Sequence, residues 1–232
     1  MTTRPPRHLA PALALALAAS PLACGDDDGG GSAATTGTAS ASAGSTAATS
    51  GAGSTGESEG SSAGSTGGGD EDVWMTAYCY LASPMKWLDP WESREAEVVD
   101  LVNQARAQGV TCGAFGAMPP VGPLTVNPRL TCAARVHSQD MSERAFLGHI
   151  NPDGEGPDDR IAKTGYAFVQ VGENVAGGPD NAADAVAGWL ASDEHCANLM
   201  NGVYKETGVG FYEGAGLYTF TWTQTFGLPK AP

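Results

Sequence analysis

The chain has 232 residues, with 26 Asp and Glu against 12 Lys and Arg and a net charge of −14 at pH 7. A balance this acidic offers no basic patch for displacing counterions, which speaks against DNA, RNA and anionic lipid headgroups as partners. Both the apolar content and the glycine content are unevenly distributed, so the sequence divides before any element is assigned.

Residues 1–23 read as an export signal, with Arg4, Arg7 and His8 ahead of an apolar run over 9–23. That run is too short to span a bilayer comfortably. It ends in Leu22-Ala23-Cys24, which resembles a lipoprotein processing site where Cys24 becomes the lipidated N-terminus. Pro21 is unusual there, and ordinary cleavage leaving an unmodified Cys24 is the alternative. The linker (residues 24–72) is Gly, Ser, Thr and Ala broken by acids, too poor in large apolar side chains to offset its ordering entropy. As a flexible tether it reaches roughly 40 Å root-mean-square. Some 160 residues, on the order of one well-buried domain, follow.

Residues 73–92 hold Trp74, Tyr78, Cys79, Tyr80, Met85 and Trp87 without a clear period and read as an irregular strap. A helix is predicted over 91–106, where Val98, Leu101, Val102 and Ala105 recur at helical spacing and Gly109 follows as a stop. Residues 111–126, rich in Gly and Pro, read as loop. The central element starts at Asn127, a good N-cap, with Pro128 at the first helical position. Leu130, Ala133, Ala134, His137, Met141 and Ala145 then fall on one side of a 3.6-residue helix, and His149 is expected to end it. His137, on the apolar face, reads as a buried, hydrogen-bonded core histidine.

A turn at 150–154 leads to a short helix over 157–164, stopped by Gly165. A strand over 166–171 runs into the glycine-rich stretch 172–178, read as a loop carrying Glu173. Asp180 is taken to cap a helix bearing Val186, Trp189 and Leu190, and Ser192 to cap a second, 193–200, carrying His195 and Cys196. The chain closes with an antiparallel hairpin, 209–212 and 217–226, in which Tyr218, Phe220, Trp222, Gln224 and Phe226 alternate with four threonines. Helices first and strands late predict an α+β layered domain rather than a doubly wound sheet.

From residue 73 onward, nucleophile-elbow, zincin, phosphate-loop and dinucleotide fingerprints are all missing, and no CxxC occurs anywhere. The segments HSQDM (137–141), FLGHINPDG (146–154), RIAKTGY (160–166), GENVAGG (172–178), WLASDEHCANLM (189–200), GVGFY (208–212) and WTQTFG (222–227) together resemble the CAP superfamily. That superfamily groups cysteine-rich secretory, antigen 5 and pathogenesis-related 1 proteins, and the likeness is to its bacterial SCP-like branch. It covers roughly residues 93–228 and implies a three-layer α-β-α sandwich with an antiparallel sheet over 93–232.

The resemblance also implies a cleft lined by two histidines and two glutamates, which holds a divalent metal in some members. Carried over, His149 and His195 are the histidines and Glu173 the first glutamate. Ser192 stands where the second would be, with Asp193 and Glu194 beside it. A zinc ion, if bound, would be held by His149, His195 and Glu173. The functions implied are binding of a small ligand, a lipid or a cell-surface partner, with the membrane reached only through the anchor. The alternatives are a metal-dependent hydrolase using the same three residues, and a structural surface protein with a vestigial cleft. If a lipid consumes Cys24, the remaining four cysteines admit three connectivities. The expected pairs are Cys112–Cys196, tying the loop before the central helix to the His195 helix, and Cys79–Cys132, pinning the strap.

Overall fold

In a computed structural model, residues 70–231 are described. The export segment, Cys24 and nearly all of the linker lie outside the described residues. The strap coils into two 3-10 turns, Asp70–Met75 and Tyr80–Ala82. Helix α1 (Asp89–Gln108) follows, with a proline in its first turn and Gly109 at φ 73° closing it. The stretch read as loop contains short strands β1 (Val110–Cys112), β2 (Gly116–Met118) and β3 (Thr125–Val126). Then come α2 (Pro128–Glu143), α3 (Pro157–Lys163), β4 (Phe168–Gly177), α4 (Ala182–Ala191), α5 (Asp193–Met200), β5 (Glu206–Glu213) and β6 (Phe220–Pro229).

Strands β1 and β2 form a small antiparallel ribbon, while the main sheet has the order β3-β5-β6-β4. Its three long strands are antiparallel, and β3 adds a parallel edge to β5. Helix α2 covers one face; α1, α4 and α5 cover the other. This is the expected α-β-α sandwich.

The two sides of the sheet use different chemistry. Toward α1, α4 and α5, Val209, Phe211, Trp222 and Phe226 pack with Val98, Val102, Val186, Trp189 and Leu199 into the main apolar core. Trp189 and Trp222, both buried in this core, donate their indole N–H to the carbonyls of Val175 and Pro179. Toward α2 the sheet presents Thr and Gly, because Gly208 pairs with Thr225 and Gly210 with Thr223. A Cβ at Gly208 would stand 2.0 Å from the Thr131 nitrogen, and one at Gly210 2.4 Å from the Ala134 carbonyl carbon. Glycine there lets the helix backbone lie against the sheet. The threonines then bond to that backbone: Thr221 Oγ1 donates to the Ser138 carbonyl and Thr225 Oγ1 to that of Leu130. The alternation in β6 therefore marks two buried faces, one apolar and one made of hydroxyls and glycines, rather than one wet face.

A buried ion pair fastens the layers. Arg135 of α2 meets Glu95 of α1, its Nε 3.2 and 3.0 Å from the two carboxylate oxygens and its Nη2 2.6 Å from Oε2. Glu95 also accepts from Trp87 Nε1 at 2.8 Å and from the Phe211 amide at 3.0 Å. Arg135 donates to the Ala82 carbonyl at 3.0 Å and sits over the rings of Trp74 and Trp87. The strap, both helical layers and β5 thus converge on one pair. Two disulfides, Cys79–Cys132 and Cys112–Cys196, pin the strap to α2 and the β1 ribbon to α5.

Three local expectations are corrected. Helix α2 ends at Glu143, six residues before His149, because Ala145 turns to φ 57° and the Phe146 amide bonds back to the Met141 carbonyl. Ala145 is consequently exposed, off the apolar face. The stretch 172–177 is no loop: it continues β4, paired residue by residue with β6, and Glu173 lies opposite Thr225. Asn181, not Asp180, caps α4, its side chain accepting from the Asp184 amide.

Candidate functional site

The site forms at β4, the edge strand, where neighbouring residues point to opposite faces of the sheet. Glu173 points toward α2 and α3; Asn174 points toward α5 and donates to the His195 carbonyl at 3.0 Å. Asn198 of α5 bonds both to the Glu173 carbonyl and to the Asn174 side chain. The two asparagines lock the His195 helix onto the strand that carries Glu173.

His149 lies on the loop after α2, its side chain about a quarter exposed at 26%. Its Nδ1 is 3.0 Å from Glu173 Oε1. A carboxylate only accepts, so in the neutral ring Nδ1 carries the proton and Nε2 keeps the lone pair. His195 is buried, and its Nδ1 is 2.8 Å from Ser192 Oγ. Ser192 is the N-cap residue of α5, but its hydroxyl bonds no backbone amide there and is turned to the imidazole instead. The rings of His149 and His195 are 6.5 Å apart, centre to centre. Asp193, a possible replacement for the missing glutamate, faces away, accepting from the Ala114 amide at 2.9 Å. Glu194 is exposed.

Arg160 was not among the residues singled out from the sequence. It lies on α3, is 2% exposed, and its Nη2 stands 2.9 and 2.8 Å from the two oxygens of Glu173. Its Nη1 donates to the carbonyls of His149 and Glu155, so the same guanidinium fixes the carboxylate and the loop bearing its histidine. The available signal was scarcity: a basic residue beside Ile161 in a two-turn helix of a strongly acidic chain.

His137 is fully buried, as expected, and donates from Nε2 to the Gly148 carbonyl at 2.9 Å, holding the residue next to His149. The same nitrogen is 3.8 Å from Glu173 Oε1, so His137 also belongs to the site. Burial pushes its pKa down, to about 4, although Glu173 pulls the other way. It is neutral near pH 7. For Glu173, burial works upward, but the facing groups of His137 and Arg160 and the hydrogen bond with His149 outweigh it and hold the carboxyl low, at about 2. With His137 neutral, Arg160 is the lasting counter-charge. Ser138 is no nucleophile: its hydroxyl donates to the Gly210 carbonyl and bonds to Thr223.

These partners decide how well a metal fits. Both oxygens of Glu173 accept from Arg160 and one also from His149, so the carboxylate is a buried support for an imidazole rather than a ligand facing an ion. Among the described residues no group of three His, Cys, Asp or Glu is arranged to hold a metal. The set His149, His195 and Glu173 therefore does not fit a three-ligand zinc centre, whose carboxylate would have to be open.

A three-layer sandwich with paired histidines over an edge strand defines a class, and comparison with known proteins identifies it. The model of the CAP, cysteine-rich secretory protein, family matches residues 99–226. The chain belongs to that family. Among curated proteins it is 31% identical over 133 residues to the uncharacterized protein YkwD of Bacillus subtilis (strain 168), covering 57% of this chain and 46% of that one. It is 29% identical over 128 residues to the uncharacterized membrane protein YlbC of the same organism, covering 55% and 34%. The chain thus spans less than half the length of these relatives. Among solved structures it is similar to an extracellular protein containing a SCP domain from Bacillus anthracis str. Ames. The TM-score is 0.51 at 26% identity, over 62% of this chain and 43% of that one.

Proposed function

We propose that the chain is an exported binding module, tethered to a membrane through a lipid on Cys24, whose paired histidines take a small polar ligand without catalysing its conversion. One observation carries the reading: each imidazole is fixed through Nδ1 by a side chain behind it, Glu173 for His149 and Ser192 for His195. Rings held this way are oriented for recognition, with His149 Nε2 as an acceptor at a partly exposed position. The hydrolase alternative is less well supported, since the carboxylate it needs as ligand or base is neutralised by Arg160. Export is supported by the signal-like residues 1–23 and by the extracellular SCP-domain protein of Bacillus anthracis to which the fold is similar.

Imidazole NMR of the full chain, titrated with small-molecule extracts from the cell envelope and separately with zinc chloride, tests the site. The expected result is a shift of the His149 and His195 resonances with an organic ligand, abolished by His149→Ala. Zinc binding that survives purification and is lost in both His149→Ala and Glu173→Gln would overturn the metal-free reading. Labelled palmitate incorporated by wild type and not by Cys24→Ser tests the anchor; equal labelling of both would refute it.

A further inference from the structure

On the other side of Arg160 from the histidines lies a polar cavity of about 300 Å³ between the strap, α2 and the loop before α3. Two buried donors at its wall have no acceptor. Arg160 lines the cavity, and although both of its terminal nitrogens are bonded, its Nε has no partner. Tyr78 lines it too, and its buried hydroxyl is likewise unpartnered. Orphaned buried donors are rare in native proteins, and two at one cavity call for an oxygen acceptor between them. Burial raises the Tyr78 pKa far above its usual range, so the hydroxyl remains a donor.

The rim has the opposite character. Asp140, Asp153 and Glu155 line it, the first two gathered around Arg144 at 2.5 and 2.6 Å and the third paired with Lys163. Paired carboxylates keep lone pairs for further donors. Leu81 adds an apolar patch beside the Tyr78 ring. An anion would meet the rim carboxylates, while the Arg160 charge is already neutralised by Glu173. A purely cationic ligand would leave the two inner donors unmet.

We infer that this cavity binds an uncharged polyhydroxylated molecule of about monosaccharide size, whose hydroxyl oxygens accept from Tyr78 and Arg160 while its hydroxyl hydrogens reach the rim carboxylates. Hydroxyl groups both donate and accept, so one ligand class satisfies both halves of the site. The C–H face of a sugar ring matches Leu81 and the Tyr78 ring. The site is separate from the paired histidines and shares only Arg160 with them.

The test is saturation-transfer NMR and calorimetry on the full oxidised chain with glucose, N-acetylglucosamine and glycerol, and with inorganic phosphate as the anionic control. At least one of the two sugars is expected to bind with a Kd on the order of millimolar. Tyr78→Phe should weaken it about five- to tenfold, the loss of one hydrogen bond. Asp153→Asn, at the exposed rim, should weaken it by a smaller factor with the fold untouched, and His149→Ala should leave it unchanged. The inference is overturned if neither sugar binds at about 50 mM, if phosphate binds in their place, or if binding survives Tyr78→Phe and Asp153→Asn. Loss of binding in His149→Ala alone would place the sugar at the histidines and equally refute it.

Discussion

Among the described residues, two buried Glu–Arg pairs differ in what surrounds them. In Glu95–Arg135 the carboxylate collects Trp87, Arg135 and the Phe211 amide, and the guanidinium, between two tryptophans, bonds the Ala82 carbonyl and the partly exposed Glu92. In Glu173–Arg160 the carboxylate also orients the half-buried His149, and the guanidinium keeps an unpartnered Nε at a cavity wall. No buried polar atom of the first pair is left without a partner, and it fastens layers together. The second is open on two sides, and a pair that leaves polar capacity at the surface is where a ligand can be recognised.

Breaking each pair from its cationic side gives the largest effect. Arg135→Ala and Arg160→Ala each strand a buried carboxylate, and each should cost about 3–5 kcal/mol in urea denaturation. The Arg135 variant should lose more, because the strap and two indole rings go with it. Equal losses would remove the distinction between a brace and a site.

The disulfides sharpen the contrast. Cys79→Ser/Cys132→Ser and Cys112→Ser/Cys196→Ser should each cost on the order of 2–4 kcal/mol. Only the second should shift the His195 ring resonances, since Cys196 follows His195 on α5. A comparable shift from the strap disulfide would mean the two regions are not independent.

Acid should act on the open pair in two stages. His137 has a folded pKa of about 4 against an ordinary 6.5, so the unfolded chain takes up the proton first. Its contribution is present above 6.5 and lost as pH falls toward 4, by about 1.4 kcal/mol per pH unit. Glu173, held at about 2 against an ordinary 4.5, contributes above 4.5 and loses that as pH falls further. Glu95, which burial raises to about 7, works in the opposite direction between 7 and 4.5. The His137 step is therefore read as a difference: His137→Gln should lack the loss that wild type shows between 6.5 and 4. An unchanged profile in that variant would rule His137 out as the group responsible.

The smallest effect belongs to Ser192→Ala, which removes one hydrogen bond to His195 and should cost about 1 kcal/mol or less. Its signature is a changed His195 resonance with His149 unmoved.

Much of this was legible along the chain because it depends on near neighbours. Asn127 and Pro128 start α2, Gly109 stops α1, and the period-two alternation of β6 requires two distinct faces. The types and order of His149, Glu173 and His195, read through the family resemblance, named the residues the fold brings to β4. What occupied the second face of β6 was not legible, since a threonine facing a helix carbonyl and one facing water obey the same pattern. Neither was the extension of β4 through its glycines, because ladder pairing with β6 overrides a local preference for loop. The end of α2 depended on a non-glycine residue adopting positive φ, which composition does not signal. Only the tertiary structure decided what Glu173 does. Glu173 lies 13 residues beyond Arg160, and their meeting depends on how α3 seats against β4, a matter of packing between layers. Sequence determined which groups could ionise; packing determined that one carboxylate would be neutralised by a guanidinium and left to hold an imidazole.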